Sequence, residues 1–131
     1  MRTLVVEDDF VSRLVLSRML SVYGVCDITV NGVEALGAFS IAIAEGNPYD
    51  LICLDIMMPE MDGKEALRII RQREAEAKIP AKNEAKVVMI TALDTPKDII
   101  DTYYHGGCTA YIVKPIEKNK ILKVLKDIGV L

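Results

Sequence analysis

Glu7, Asp8, Asp55, Thr91 and Lys114 are the residues whose types and positions would do chemistry together, because each stands where a short apolar run ends. The run Leu51-Ile52-Cys53-Leu54 finishes on the Asp55 carboxylate and breaks at once into Ile56-Met57-Met58-Pro59-Glu60-Met61-Asp62-Gly63. That pattern is a buried strand delivering a reactive group to the edge of a parallel sheet. In open α/β sheets, ligand chemistry sits beyond the carboxyl ends of the strands. Carboxylates gathered there repel one another and need a cation, and oxygen-only donors select a hard one such as Mg2+, which keeps several waters. A hydroxyl (Thr91) and an ammonium (Lys114) beside such a cluster suit an incoming phosphoryl group, whose oxygens they would bind and neutralise. An ionised aspartate is then the available nucleophile, and its product is an aspartyl-phosphate. There is no glycine-rich phosphate cradle of the P-loop kind, which argues against a nucleotide donor.

The elements that must position these groups follow from periodicity. Strands are expected at Thr3–Glu7, Cys26–Val30, Asp50–Asp55, Lys86–Thr91 and Tyr111–Val113. Helices are expected at Phe10–Tyr23, stopped by Gly24, and at Val33–Glu45 after an Asn31-Gly32 turn. Further helices are expected at Gly63–Ala77, from Thr95-Pro96 to about His105, and at Glu117–Ile128. Five strands alternating with five helices argue for a parallel sheet covered on both faces.

At 131 residues, 51% of them apolar, the chain is expected to be one globular domain over 1–131, with no linker, second domain or output module. No apolar run reaches the roughly 18 residues of a membrane helix, and the N-terminus turns acidic too early for a signal peptide. The charge of −3 and the lack of a basic run argue against a nucleic-acid surface. Cys26, Cys53 and Cys108 lack metal-type spacing and read as reduced, buried thiols of a cytoplasmic protein.

Val5-Val6-Glu7-Asp8-Asp9, Leu54-Asp55 with its Met-Met-Pro-Glu-Met-Asp-Gly loop, Thr91-Ala92 and Tyr111-Ile112-Val113-Lys114-Pro115 occur in that order. Together they resemble the receiver domain of bacterial two-component response regulators. The resemblance implies a flavodoxin-like doubly wound sheet of strand order 2-1-3-4-5. It implies that Asp55 accepts phosphate from the phosphohistidine of a sensor histidine kinase or histidine phosphotransfer protein. Glu7, Asp8, Asp55 and the Met57 backbone carbonyl would hold Mg2+, and Lys114 would bind the phosphoryl group. Thr91 would be the switch hydroxyl, Tyr111 the switch aromatic, and the Lys114-Pro115 bond cis. Partners of the activated form would meet the face of the fourth helix, fifth strand and fifth helix, and the chain would be a monomer or a phosphorylation-dependent dimer.

Each residue also has a blander reading. Glu7, Asp8 and Asp9 could simply begin a helix, where the dipole favours acids, and for Asp9 that suffices. Tyr111 could be plain core, His105 a surface cation, and the charged run Arg71–Lys78 a solvated helix face. Tyr103 and Tyr104 are adjacent, so one of them would face outward. Two departures from the family pattern stand out. The stretch from Thr91 to Tyr111 is one residue longer than usual, near Gly106-Gly107, and Met57 and Leu93 are apolar where some members position attacking water. A long-lived phosphoryl group is the expectation. Two other classes compete with a stand-alone phospho-acceptor or relay intermediate. An aspartyl-phosphate phosphatase of the haloacid-dehalogenase kind would want an Asp where Met57 stands. A phosphorylation-independent binding module would not require the whole cluster.

Overall fold

The computed structural model describes residues 1–58, 60–92 and 107–131. Five parallel strands, β1 (Thr3–Val6), β2 (Cys26–Thr29), β3 (Leu51–Asp55), β4 (Lys86–Thr91) and β5 (Ala110–Val113), form one sheet in the order β2-β1-β3-β4-β5. Helices α1 (Phe10–Ser21), α2 (Gly32–Ala44), α3 (Gly63–Glu76) and α4 (Lys118–Asp127) connect or follow them, with a 3-10 turn at Ala81–Asn83. The helix expected from Thr95-Pro96 to His105, with Leu93, Tyr103, Tyr104 and Gly106, lies outside the described residues. The last helix, expected as the fifth, is therefore α4 here.

The strands are apolar on both sides because both sides are covered. Alternation along β1, β3 and β4 sends Leu4, Val6, Ile52, Leu54, Val87 and Met89 toward α2 and α3, where Phe39, Leu67 and Ile70 meet them. Val5, Leu51, Cys53, Val88 and Ile90 face α1 and α4, meeting Leu16, Leu20, Ile121 and Leu125. Each fully buried side chain of this kind contributes about 1.5–3 kcal/mol. The register sets Val6 beside Leu54 and Asp55 beside Ile90, so the ends of β1, β3 and β4 emerge together at one edge.

Side-chain caps start three helices. Asp9, Asn31 and Asp62 accept the backbone N–H of Ser12, Glu34 and Glu65 at 2.9, 2.8 and 2.9 Å. This corrects the Asn31-Gly32 expectation. The pair opens α2, with Glu34 reaching back to the Val30 N–H at 3.1 Å. Helix α1 ends at a Val22 cap, and Gly24, two residues on, adopts φ +147° where a Cβ would lie 1.9 Å from the Met1 carbonyl oxygen.

The charged run of α3 is not a uniformly solvated face. Glu74 is 2% exposed and accepts the Ala85 N–H and an Arg71 N–H, each at 2.7 Å. Arg71 also donates to the carbonyls of Ala85 (2.8 Å) and Gly107 (3.0 Å). The pair supplies hydrogen bonds to backbone that α3 covers before β4 and before β5, which is why two charges are stable there.

Candidate functional site

The ends of four strands, β1, β3, β4 and β5, or the turns just after them, build the site. Glu7 follows β1 and is 1% exposed, and Asp55 closes β3 and is 2% exposed. The exposed Asp8 completes a set whose carboxylate oxygens lie within 4.8 Å of one another. Lys114 follows β5, and its Nζ lies 3.3 Å from Glu7 Oε2 and 3.7 Å from Asp55 Oδ2. The Lys114 N–H donates to the Thr91 carbonyl at 2.7 Å, which locks the end of β5 to the end of β4. The Lys114-Pro115 peptide is cis. Thus the structure brings Glu7, Asp8, Asp55 and Lys114 into one cluster and sets the fully buried Thr91 beside it.

Tyr111 lies opposite Met89, half-buried against the core that α2 and α3 cover. Alternation along β4 puts Thr91 on the same face of the sheet as Met89, so Thr91 and Tyr111 share a face. The side chain of Met57 is 60% exposed beside the acceptor, and its N–H donates to Asp55 Oδ1 at 3.2 Å.

The electrostatics follow from burial and like charge. Burial first and the neighbouring Glu7 second raise the Asp55 pKa to about 7, against the downward pull of Lys114 and the Met57 N–H. Burial works against the Lys114 ammonium, but the Asp55 and Glu7 carboxylates outweigh it, and its pKa is raised. The donor set is oxygen only. Its buried Glu7 Oε2 has the Lys114 contact but no hydrogen bond among the described residues. An acidic trio with such an atom fits a hard cation of the Mg2+ kind. The cysteines offer no rival chemistry, although Cys26, expected to be buried, is half-buried at the start of β2, where burial still raises its thiol pKa. Burial pushes the Cys53 and Cys108 thiols up to about 12 and about 11, far from the thiolate a nucleophile or metal site needs.

Two contributors were not legible in the motifs. Arg13 turns back from α1 to donate to the carbonyls of Glu7 (3.1 Å) and Asp8 (3.3 Å), fixing the acidic turn. Its position outside the buried helix face was visible, but nothing in the sequence aimed it at that turn. Gly63 was visible as part of the loop after Asp55, yet its role is steric. A Cβ there would lie 2.3 Å from the Asp55 carbonyl oxygen.

A doubly wound α/β sheet with an acidic cluster at its carboxyl edge defines the class. The chain belongs to the response regulator receiver domain family, whose family model matches residues 3–126. It is 33% identical over 130 residues, 98% of its length, to hybrid signal transduction histidine kinase L of Dictyostelium discoideum, of which it covers 7%. The chain spans less than half the length of the curated relatives it matches. Among solved structures it resembles the CheX–CheY–BeF3–Mg complex from Borrelia burgdorferi, with TM-score 0.83, 28% identity, and 100% and 90% of the two chains covered. The receiver domain of the histidine kinase CKI1 from Arabidopsis thaliana, complexed with Mg2+ and BeF3−, gives TM-score 0.79 and 28% identity, with 99% and 90% covered.

Proposed function

We propose that this receiver is a phospho-acceptor switch in which Asp55 is the nucleophile. The observation that carries this reading is the placement of the buried Asp55 carboxylate within 4.8 Å of Glu7 and Asp8 and 3.7 Å from Lys114. An Asp55 carboxylate oxygen attacks the phosphorus of a partner's phosphohistidine. A P–O bond forms as the P–N bond breaks, and the imidazole leaves with the bonding pair and takes up a proton. Glu7, Asp8, Asp55 and the Met57 carbonyl would hold Mg2+, which supplies charge neutralisation for the phosphoryl oxygens when bound. Lys114 binds one of those oxygens, and its contact with Glu7 keeps the ammonium at the site. Thr91 donates to another, and Tyr111, on the same face of the sheet, repacks in response. The donor is a sensor histidine kinase or a phosphotransfer protein. The activated form changes its affinity for a protein target through the surface around β5 and α4.

Intact mass after incubation with acetyl phosphate tests this reading. The native chain is expected to gain one phosphoryl group only with Mg2+, and Asp55→Asn to gain none. Labelling that survives in Asp55→Asn, or that ignores Mg2+, would remove Asp55 from the centre of the scheme.

Met57 sets a second expectation. Its thioether offers water no strong acceptor beside the acyl phosphate. Met57→Asn is therefore expected to shorten the phosphoryl lifetime by about tenfold, the scale of one positioned hydrogen bond. Equal decay of the two labelled proteins by mass would show that water is positioned elsewhere.

A further inference from the structure

Strand β2 is an outer strand, bonded to β1 alone. The Thr3 N–H donates to the Val25 carbonyl at 2.8 Å, and the Glu7 N–H donates to the Thr29 carbonyl at 3.2 Å. Peptide groups alternate along a strand, so those of Val25, Asp27 and Thr29 turn inward to β1. Those of Cys26, Ile28 and Val30 turn outward. Glu34 Oε1 takes up the Val30 N–H at 3.1 Å. Among the described residues, no hydrogen bond reaches the outward peptide groups of Cys26 and Ile28.

The side chains leave this edge apolar. Ile28 is 48% exposed and Val30 37%, and with Cys26 they line the face of the sheet that α1 covers. The Ser21 hydroxyl meets the Cys26 thiol, so the α1 stripe of Leu14, Ser17 and Ser21 flanks the same edge. Of the eleven large apolar side chains exposed among the described residues, nine lie between Phe10 and Ile41, in the elements around β2. The opposite outer strand, β5, exposes none. A bare edge invites a further strand, and sheets commonly blunt one with lysine, proline or a bulge. The Cys-Asp-Ile-Thr strand contains neither lysine nor proline. Its one charge, Asp27, turns to the other face, where Arg2 and Tyr49 hold it at 3.4 and 2.7 Å.

We propose that two copies of this chain pair through β2, antiparallel across a two-fold axis, to form one continuous sheet. Charge selects the register. With Asp27 on the axis, two carboxylates would face each other across Cα atoms about 4.5 Å apart, an unfavourable pair. With Ile28 on the axis, Ile28 meets its own copy, Cys26 meets Val30, and Asp27 meets Thr29. Ile28 then exchanges both backbone bonds with its copy. Each Cys26 N–H donates to a Val30 carbonyl, which leaves the Val30 N–H with Glu34. Glu34 approaches the Asp27–Arg2 ion pair of the second copy and not a lone acid. Burying such half-exposed side chains removes roughly 300 Å² of apolar surface from each copy, against about 800 Å² per partner in a standard interface. The pair is therefore weak, with a Kd on the order of 100 μM. Strand β1 separates this edge from β3 and Asp55, so pairing leaves the acceptor open and does not depend on the phospho-acceptor reading.

Sedimentation equilibrium over about a hundredfold range of concentration tests this, with NMR amide shifts and hydrogen exchange recorded over the same range. A dimer is expected in the native chain and equally in Asp55→Asn. The Cys26 and Ile28 amides should shift and exchange more slowly as it forms. Ile28→Lys and Val30→Lys, at exposed positions, should each weaken association at least about tenfold while melting as the native chain does. Leu131→Lys, exposed at the C-terminus, should leave it unchanged. A chain that stays monomeric would overturn the proposal, as would association that survives both edge lysines. Shifts confined to β5 and α4, or pairing seen only after acetyl phosphate, would overturn it in favour of a dimer through that other surface.

Discussion

Gly63→Ala is expected to cost about 3 kcal/mol of stability and to slow phosphoryl capture by about a hundredfold. An alanine Cβ would stand 2.3 Å from the Asp55 carbonyl oxygen and 2.8 Å from the Ile56 Cα. Both are backbone atoms, so no side chain can rotate away to make room. The gain in helix propensity from glycine to alanine is about 1 kcal/mol and is outweighed. Relief requires α3 to move off the end of β3, lengthening the 2.9 Å bond from the Gly63 N–H to the Ile56 carbonyl. That displacement carries the Asp55 turn with it. Urea unfolding and the rate of Mg2+-dependent labelling by acetyl phosphate measure the two effects. A variant as stable and as reactive as the native chain would show that the close approach has no such consequence.

Asp55→Asn is expected to stabilise the Mg2+-free protein, and to do so increasingly as pH rises. The folded-state pKa of Asp55 is about 7, against 3.8 for an ordinary aspartate. A carboxyl with a raised folded pKa contributes stability that is fully present below the unfolded value. That stability is lost as pH rises through the folded value. Between about pH 4 and pH 8 the native chain therefore loses on the order of 3 kcal/mol relative to the asparagine variant, which does not titrate there. In chelator at pH 8 the variant should melt about 10 °C higher, and at pH 5 the gap should be much smaller. Adding Mg2+ should raise the native melting temperature and narrow the gap, because a ligand that binds only the folded state stabilises it by mass action. A gap that stays constant with pH would mean that neither burial nor Glu7 raises the Asp55 pKa in the folded state.

Much of this architecture was legible because its causes are local. Runs such as Leu51–Leu54 and Val87–Ile90 are apolar at every position, which only a doubly covered parallel strand requires. The acidic, hydroxyl and lysine residues stand at the strand ends, so sequence order alone assigned them to one edge once the sheet was parallel. Where local signals misled, a tertiary partner had intervened. Asn31-Gly32 carries turn chemistry, yet the Asn31 side chain found an orphan helical N–H and the pair became a helix start. Arg71 and Glu74 are charged and three apart, as on any solvated helix. They are held inward because Ala85 and Gly107 present backbone groups that need partners.

The sequence by itself determined the fold class, the family and the residues available for chemistry, because periodicity and residue type act over a few positions. Only the tertiary structure decided how those residues meet. The register of three strand pairs, β1–β3, β3–β4 and β4–β5, brings Glu7, Asp55 and Lys114 together across as many as 107 positions of chain. Packing of α3 against the end of β3 leaves Gly63 no room for a Cβ. The approach of α4 to α1 makes an apolar cleft from two helices that show no sign of each other in sequence. Distances, burial and the like-charge strain on Asp55 depend on chain segments far apart in sequence, and no local pattern encodes them.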